Sequence, residues 1–279
     1  MKTVLVIATM LALLCFPDAA SHTALEALRI WGLTVVPSLF PYMVLCQSLS
    51  AQMMAKPERL LLLSPVLGLL GGSPAGSAAL AAGISASSVL PRYTLSLCAL
   101  TGTISPMFFL GPVSAWLGTQ ADGKRLLFAH LGGAAAAAAA AMPLTSKRSI
   151  PSPLRKQDFS SPNPIIRSID AILHVGGCII FFSVVVGCVS HAFPALDQRT
   201  QAIIHAVFEV AGGMQALINS PLSRRGSLIL LAAASGLSGF SILSQNLFFL
   251  APVGIGMKHL LFLGFLRAAG AALIMALLC

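Results

Sequence analysis

The chain alternates between long hydrophobic runs and short polar or Pro/Gly-rich joints along its whole length. Several runs approach the roughly 20 residues that carry a helix across a bilayer core. They are rich in Leu and Ala and lack the period-two alternation of a membrane β-barrel, so helices are the way to satisfy their backbone groups in lipid. The runs predict a short N-terminal transmembrane helix over 1–17, a first unit over 18–144, a connector over 145–165 and a second unit over 166–279. Lys2 and the apolar run Thr3–Phe16 look like a signal peptide. Asp18 before Ala19-Ala20 and Leu14 before Cys15 spoil the cleavage patterns, so the segment reads as retained.

The hydrophobic pattern is written twice. Pro106-Met-Phe-Phe-Leu-Gly-Pro-Val113 returns as Asn246-Leu-Phe-Phe-Leu-Ala-Pro-Val253, Gly71-Gly72 as Gly212-Gly213, and Lys124-Arg-Leu-Leu-Phe128 as Lys258-His-Leu-Leu-Phe262. Matches in one order at nearly constant offset indicate an internal duplication. Each half then holds four segments: 24–51, 60–90, 92–117 and 124–144 in the first; 166–190, 201–222, 226–250 and 258–279 in the second. The second segment of each half is interrupted, by Gly71-Gly-Ser-Pro-Ala-Gly-Ser77 and near Gly212-Gly213. Matched interruptions of this kind point to re-entrant or broken helices at a transporter's binding site, against the plainer reading of spanning helices with Gly-rich packing faces.

Charge sharpens the arrangement. The chain carries 17 Lys and Arg against 8 Asp and Glu, but only 9% of its residues are charged and its mean hydropathy is +0.89. A water-facing surface cannot be clothed so sparsely. If the interrupted segments fold back, Lys2, Lys56, Arg59, Arg92, Lys147, Arg148, Arg155, Lys156, Arg167 and Lys258 share one side. Arg29, Lys124, Arg125, Arg199, Arg224 and Arg225 lie opposite, and Arg267 falls within a span. That bias marks the first side as cytoplasmic. Three crossings plus a hairpin per half would turn the second half upside down. The expected fold is an all-α polytopic membrane protein: after a short N-terminal helix, two inverted repeats, each with three spanning helices and a re-entrant or broken helical hairpin. The Pro-rich, basic linker 145–165 reads as a cytoplasmic connector.

Among polar residues inside the runs, Glu209 stands out. A carboxylate in an apolar segment is a candidate for proton or cation coupling, unless it snorkels or pairs with Arg199 or Arg224. Hydroxyl and amide clusters occur at Thr101, Thr103 and Ser105 in the first half and at Ser238, Ser241, Gln245 and Asn246 in the second. They could line a ligand cavity or simply bond between helices. The candidate substrate-binding set is Gly72, Ser73, Pro74, Gly76, Ser77, Thr101, Thr103, Ser105, Glu209, Gly212, Gly213, Ser238, Ser241, Gln245 and Asn246. His130, His174, His205 and His259 lack metal-ligand spacing and read as packed side chains, and the six cysteines show no CxxC pair. Phosphate loops, nucleophile elbows and HExxH helices are missing, so no metal, cofactor or enzymatic activity is expected. The expected partners are membrane lipid, a small-molecule solute and a coupling proton or cation. Nucleic acid is not expected, and homo-oligomerisation is left open.

Five stretches in order resemble the YlbJ-type sporulation integral membrane proteins, whose nucleoside recognition (Gate) domain is shared with concentrative nucleoside transporters and spore maturation proteins. They are Leu28-Arg-Ile-Trp-Gly-Leu-Thr-Val-Val-Pro-Ser-Leu-Phe-Pro-Tyr42, Gly72-Ser-Pro-Ala-Gly-Ser77, Thr103-Ile-Ser-Pro-Met-Phe-Phe109, Phe208-Glu-Val-Ala-Gly-Gly213 and Ser238-Gly-Phe-Ser-Ile-Leu-Ser-Gln245. Ser73 stands where that family usually has an aromatic residue, and Gly102-Thr-Ile-Ser105 replaces an Asn-rich stretch. The resemblance implies a multi-pass protein of the bacterial cell or forespore membrane, acting in endospore formation and passing dipicolinic acid, a small aromatic dicarboxylate. Helix ends and hydroxyls would then supply donors to the carboxylates. The alternative is a non-transporting scaffold for spore envelope assembly.

Overall fold

A computed structural model describes residues 2–87, 89–90, 92–144, 148–149 and 163–279. Most of the connector 145–165, with Lys147, Arg155 and Lys156, therefore lies outside the described residues. The helices are α1 (Lys2–Cys15), α2 (Pro17–Ile30), which runs through a π-turn at Trp31–Val35 into α3 (Val36–Met53), and α4 (Pro57–Ser87). Then come α5 (Thr94–Thr101), α6 (Pro106–Phe108), α7 (Ser114–Leu117) and α8 (Gln120–Ala141). The second half holds α9 (Pro164–Ala192), α10 (Gln198–Phe208), α11 (Val210–Asn219), α12 (Arg224–Leu237), α13 (Gly239–Leu250) and α14 (Met257–Leu278). A two-residue antiparallel ladder joins β1 (Val89–Leu90) to β2 (Arg148–Ser149).

The protein is an all-α, multi-pass integral membrane protein. Among the described residues, 7 helical stretches are long and apolar enough to cross a bilayer. The distribution of side chains is the reverse of a soluble protein's. Leu33, Leu45, Phe128 and Phe265 point outward, while Ser64, Thr101, Ser235, Gln245 and Arg267 are buried. That is the arrangement lipid favours, since polar groups there need partners inside the protein. Helix α1 is 14 residues long, about 21 Å and short of the core thickness. Its expected neighbour begins at Pro17 and continues as one element to Met53, which absorbs the boundary expected near residue 24.

One of the seven stretches does not cross as a rod. At Gly72 the backbone turns to φ 76°, ψ 173°, a conformation essentially confined to glycine, and α4 folds back on itself. A Cβ placed on Gly76 would sit 2.5 Å from the Cα of Gly68, and one on Gly83 would sit 2.9 Å from Cγ of Leu61. Residues eight and twenty-two apart touch only in a hairpin whose tip is Gly72. Each arm of about 15 residues is near 22 Å long. Helices α10 and α11 form a second hairpin with its tip at Glu209. Gly213 packs on the backbone of Ala206, and the Gln198 side-chain amide donates to the Asn219 carbonyl at 3.4 Å across its mouth.

The two hairpins open toward opposite ends of α8. The first runs into β1, whose partner β2 follows the C-terminal end of α8, and Ser96 at the start of α5 donates to Ala138 O at 2.8 Å. The second is followed by Arg224, whose guanidinium binds the carboxylate of Asp122 in the first turn of α8. Asp122 also pairs with Arg125, so Arg125 and Arg224 lie at the same end of α8. The scaffold around the hairpins is continuous: α2 and α3 lie along α9, α8 along α14, and α14 along α12. Trp31 fixes the first of these contacts. Its ring covers Gly176, and its Nε1 donates to Ile172 O at 3.1 Å.

The hairpins also correct the register of the sequence echo. Gly71-Gly72 forms a tip, but Gly212-Gly213 follows one. The position four past each tip is Gly76 in the first hairpin and Gly213 in the second, and each lies against the opposing arm. Short glycine pairs in apolar sequence matched out of step because both hairpins need small residues at several points.

Candidate functional site

Four interruptions of helical structure converge in the middle of the bundle. Two are the hairpin tips. The third is the non-helical stretch Gly102–Ser105 between α5 and α6, and the fourth is Ser238, left-handed at φ 70°, between α12 and α13. Ser105 caps α6 by accepting from the Met107 N–H at 3.4 Å and donates to Leu70 O in the first hairpin at 3.2 Å. Pro106 and Pro74 occupy the first turns of the helices that restart, where a missing N–H costs nothing.

A cavity of about 60 Å³ lies at this junction, lined among others by Gly72, Ser73, Pro74, Ser105, Glu209 and Gln245. Six of the predicted residues, drawn from both halves, thus share one wall-to-wall space. Val35, Leu39, Phe108, Val175 and Ile242 supply its apolar remainder. Just behind it, the Ser77 hydroxyl donates to Asn246 Oδ1 at 3.0 Å and ties the first hairpin to α13.

Glu209 is 1% exposed and sits at the second tip as the cap of α11. Its Oε1 accepts from the Ala211 N–H at 2.9 Å and its Oε2 from the Gly212 N–H at 2.6 Å. The start of a helix is where a carboxylate is best accommodated, because free N–H groups and the helix dipole both favour it. Among the described residues Glu209 makes no ion pair with Arg199 or Arg224, and Arg224 is engaged with Asp122. On the far side of this hairpin is a larger pocket of about 500 Å³, lined by Glu26, Arg29, Ser183, His205, Gln215 and Asn219 among others. His205 lies between the two spaces. The position of a Cβ on Gly212 is 3.0 Å from His205 Nε2 and 3.1 Å from Glu209 Oε2, and among the described residues His205 Nε2 has no hydrogen-bond partner.

The other predicted residues lie outside the lining of this cavity. Gly76 and Gly68 both press on the backbone of Thr101. The hydroxyls of Thr101 and Thr103 bond back to Cys98 O at 3.3 Å and Leu100 O at 3.1 Å instead of facing the cavity. Hydroxyls in membrane helices often satisfy themselves on a preceding carbonyl. Ser238 contacts Arg267, Ser241 Oγ is buried without a partner among the described residues, Gly213 packs on Ala206 and Gly212 lines the larger outer pocket.

Two residues given no role in the sequence hold the broken stretches. His130 on α8, fully buried, accepts the Ile104 N–H on Nε2 at 3.0 Å, and its ring lies 5.1 Å from that of Phe109. Arg267 on α14 donates to Gly102 O at 2.6 Å and Gly236 O at 3.1 Å. The signal for Arg267 was present, as the one charge in the apolar run from Leu260 to Cys279. For His130 there was none, because its partner is a main-chain N–H.

No protein-family model matches the chain, and neither the curated proteins nor the solved structures give a match. The resemblance to Gate-domain proteins therefore rests on the five motifs alone.

Proposed function

We propose that this protein is a membrane transporter or facilitator for a small solute, built from two inverted repeats whose re-entrant hairpins meet at the solute site. The observation that carries the reading is the convergence of both hairpin tips, Ser105 and Gln245 on one cavity. Hairpins that open toward opposite ends of α8, and the paired packing of α2/α3 with α9 and of α8 with α14, support the inverted arrangement. Discontinuous helices at a repeat interface are where secondary transporters bind substrate and ions.

The wall chemistry suits a flat, largely apolar solute with a few acceptor groups. The N-terminal end of the second arm of α4, with the Ser73 hydroxyl, offers donors, and the aliphatic residues offer a face for a ring. An aromatic dicarboxylate such as dipicolinate, the solute implied by the family resemblance, meets these terms on one condition. A carboxylate beside Glu209 is repelled while Glu209 is charged, so a proton on Glu209 accompanies it. His205, facing both Glu209 and the outer pocket with its Glu26 and Arg29, lies on the route for that proton. At about 60 Å³ the cavity holds a few waters, and solute enters when the tips part.

The test is uptake of dipicolinate and of nucleosides into vesicles containing the purified protein, with and without an inward proton gradient. Saturable dipicolinate uptake stimulated by the gradient is expected, with the stimulation lost in Glu209→Gln. Absence of uptake of both solutes by folded protein would sink the transporter reading and favour the scaffold.

A further inference from the structure

Arg267 presents an unusual electrostatic situation. It lies midway along α14, is 2% exposed and points its whole guanidinium into the protein. Its Nη1 donates to Gly102 O at 2.6 Å and reaches Ala99 O at 3.5 Å; its Nε donates to Gly236 O at 3.1 Å and its Nη2 to Ser238 Oγ at 3.2 Å. The first two carbonyls terminate α5 and the third terminates α12, so the negative ends of two helix dipoles face one cation. Among the described residues the ion pairs are those of Asp122 with Arg125 and Arg224 and of Glu26 with His22, and none involves Arg267. A buried charge without a counter-ion is costly, so the carbonyls and dipoles must balance it. The backbone is shaped for this approach. A side chain on Gly102 would collide with Arg267 Nη1, and one on Gly236 would meet the backbone of Arg267 and Ala268.

Carbonyls freed at the C-terminal ends of half-helices are the groups that coordinate coupling cations in transporters. We infer that Arg267 is a built-in cation, filling the place between the two broken helices where a sodium ion would otherwise be coordinated. It holds the interruptions of both halves together without an exchangeable ion. Arginine suits the task because its guanidinium keeps its charge and its planar fork reaches several acceptors at once. The functional corollary, transport without a sodium requirement, rests on the transporter reading. The site itself does not.

The experiment reads thermal melting of the purified full-length protein in detergent, so it succeeds or fails independently of any transport. Wild type should melt at the same temperature in sodium, potassium and choline chloride. Arg267→Ala should melt at least about 5 °C lower in choline chloride. It should recover at least half of that loss in about 50 mM guanidinium or sodium chloride, because a cation that binds only the folded site stabilises by mass action. A merely structural arginine predicts a loss that no small cation repairs, and that outcome overturns the proposal. So does an unshifted Arg267→Ala, or a wild type stabilised by sodium. Should Arg267→Ala yield no folded protein, Arg267→Lys and Arg267→Met decide: folded lysine with unfolded methionine supports a required charge, and any other combination overturns it.

Discussion

The two hairpins reach the same cavity by different means. The first turns on Gly72, whose backbone takes a conformation that side chains forbid, and its tip from Leu70 to Gly76 carries no charge. The second turns on Glu209 in ordinary extended geometry (φ −136°, ψ 116°), and the carboxylate of the turning residue caps the arm that follows. A fold-back in lipid needs both a bend and a partner for the freed N–H groups. Hairpin one solves the bend with glycine and leaves the start of its second arm facing the cavity. Hairpin two solves the capping problem with its own anion. The two hairpins therefore end in chemically unlike tips, one offering donors and one offering a titratable acceptor.

Both hairpins depend most heavily on one common element, the close approach of their arms. Gly76→Leu places a side chain where Gly68 and Thr101 leave no room, and it should cost about 3 kcal/mol or more, read as a collapse of thermal stability in detergent. Gly213→Leu should do the same in hairpin two. An unaffected Gly76→Leu would mean that the arms of α4 are not in contact. At the tips the hairpins should part. Gly72→Ala is expected to cost about 2 kcal/mol through backbone strain alone, since its Cβ would make only ordinary contacts, with Leu39 at 3.4 Å and Pro74 at 3.7 Å. Glu209→Ala should cost a similar or smaller ~1–2 kcal/mol by orphaning two N–H groups, and Glu209→Gln, with one acceptor oxygen in place of two, should restore only part of it. Equal melting of Glu209→Ala and wild type would remove the capping role.

Smaller still is the link between the halves. A double-mutant cycle on Ser77→Ala and Asn246→Ala should give a coupling of roughly 0.6 kcal/mol, the usual worth of a hydrogen bond between membrane helices. The smallest effect belongs to the mouth of hairpin two. There the Thr200 backbone N–H, at 2.7 Å, and side chain hold the Asp197 carboxyl below the usual carboxylate range. A group with its pKa lowered by folding stabilises the fold above the ordinary carboxylate pKa and loses that contribution as pH falls through the folded value. Melting curves should therefore show a slight deficit of Asp197→Ala at neutral pH that disappears on acidification. A deficit that persists in acid would assign it to something other than the charged cap.

What the sequence determined by itself was local. Hydrophobic runs specify helices in lipid, and Gly71-Gly-Ser-Pro, Thr103-Ile-Ser-Pro and the serine-rich stretch around Ser238 mark where helices break, because proline removes an i to i−4 bond, glycine frees the backbone to leave the helix and hydroxyls offer the backbone an alternative partner. The four polar side chains that line the cavity, Ser73, Ser105, Glu209 and Gln245, all lie among the residues those marks and the lone carboxylate singled out. Tertiary structure alone decided which way each interruption faces. Thr101, Thr103 and Gly76 sit beside the breaks yet serve packing and self-satisfaction, because the side of a helix that meets the cavity depends on neighbours far along the chain. It also decided how the freed backbone groups are satisfied. Gly102 finds its donor at Arg267, and Ile104 finds its acceptor at His130. A main-chain carbonyl leaves no letter in the sequence, so a partnership in which one member is backbone becomes visible only when the chain is folded.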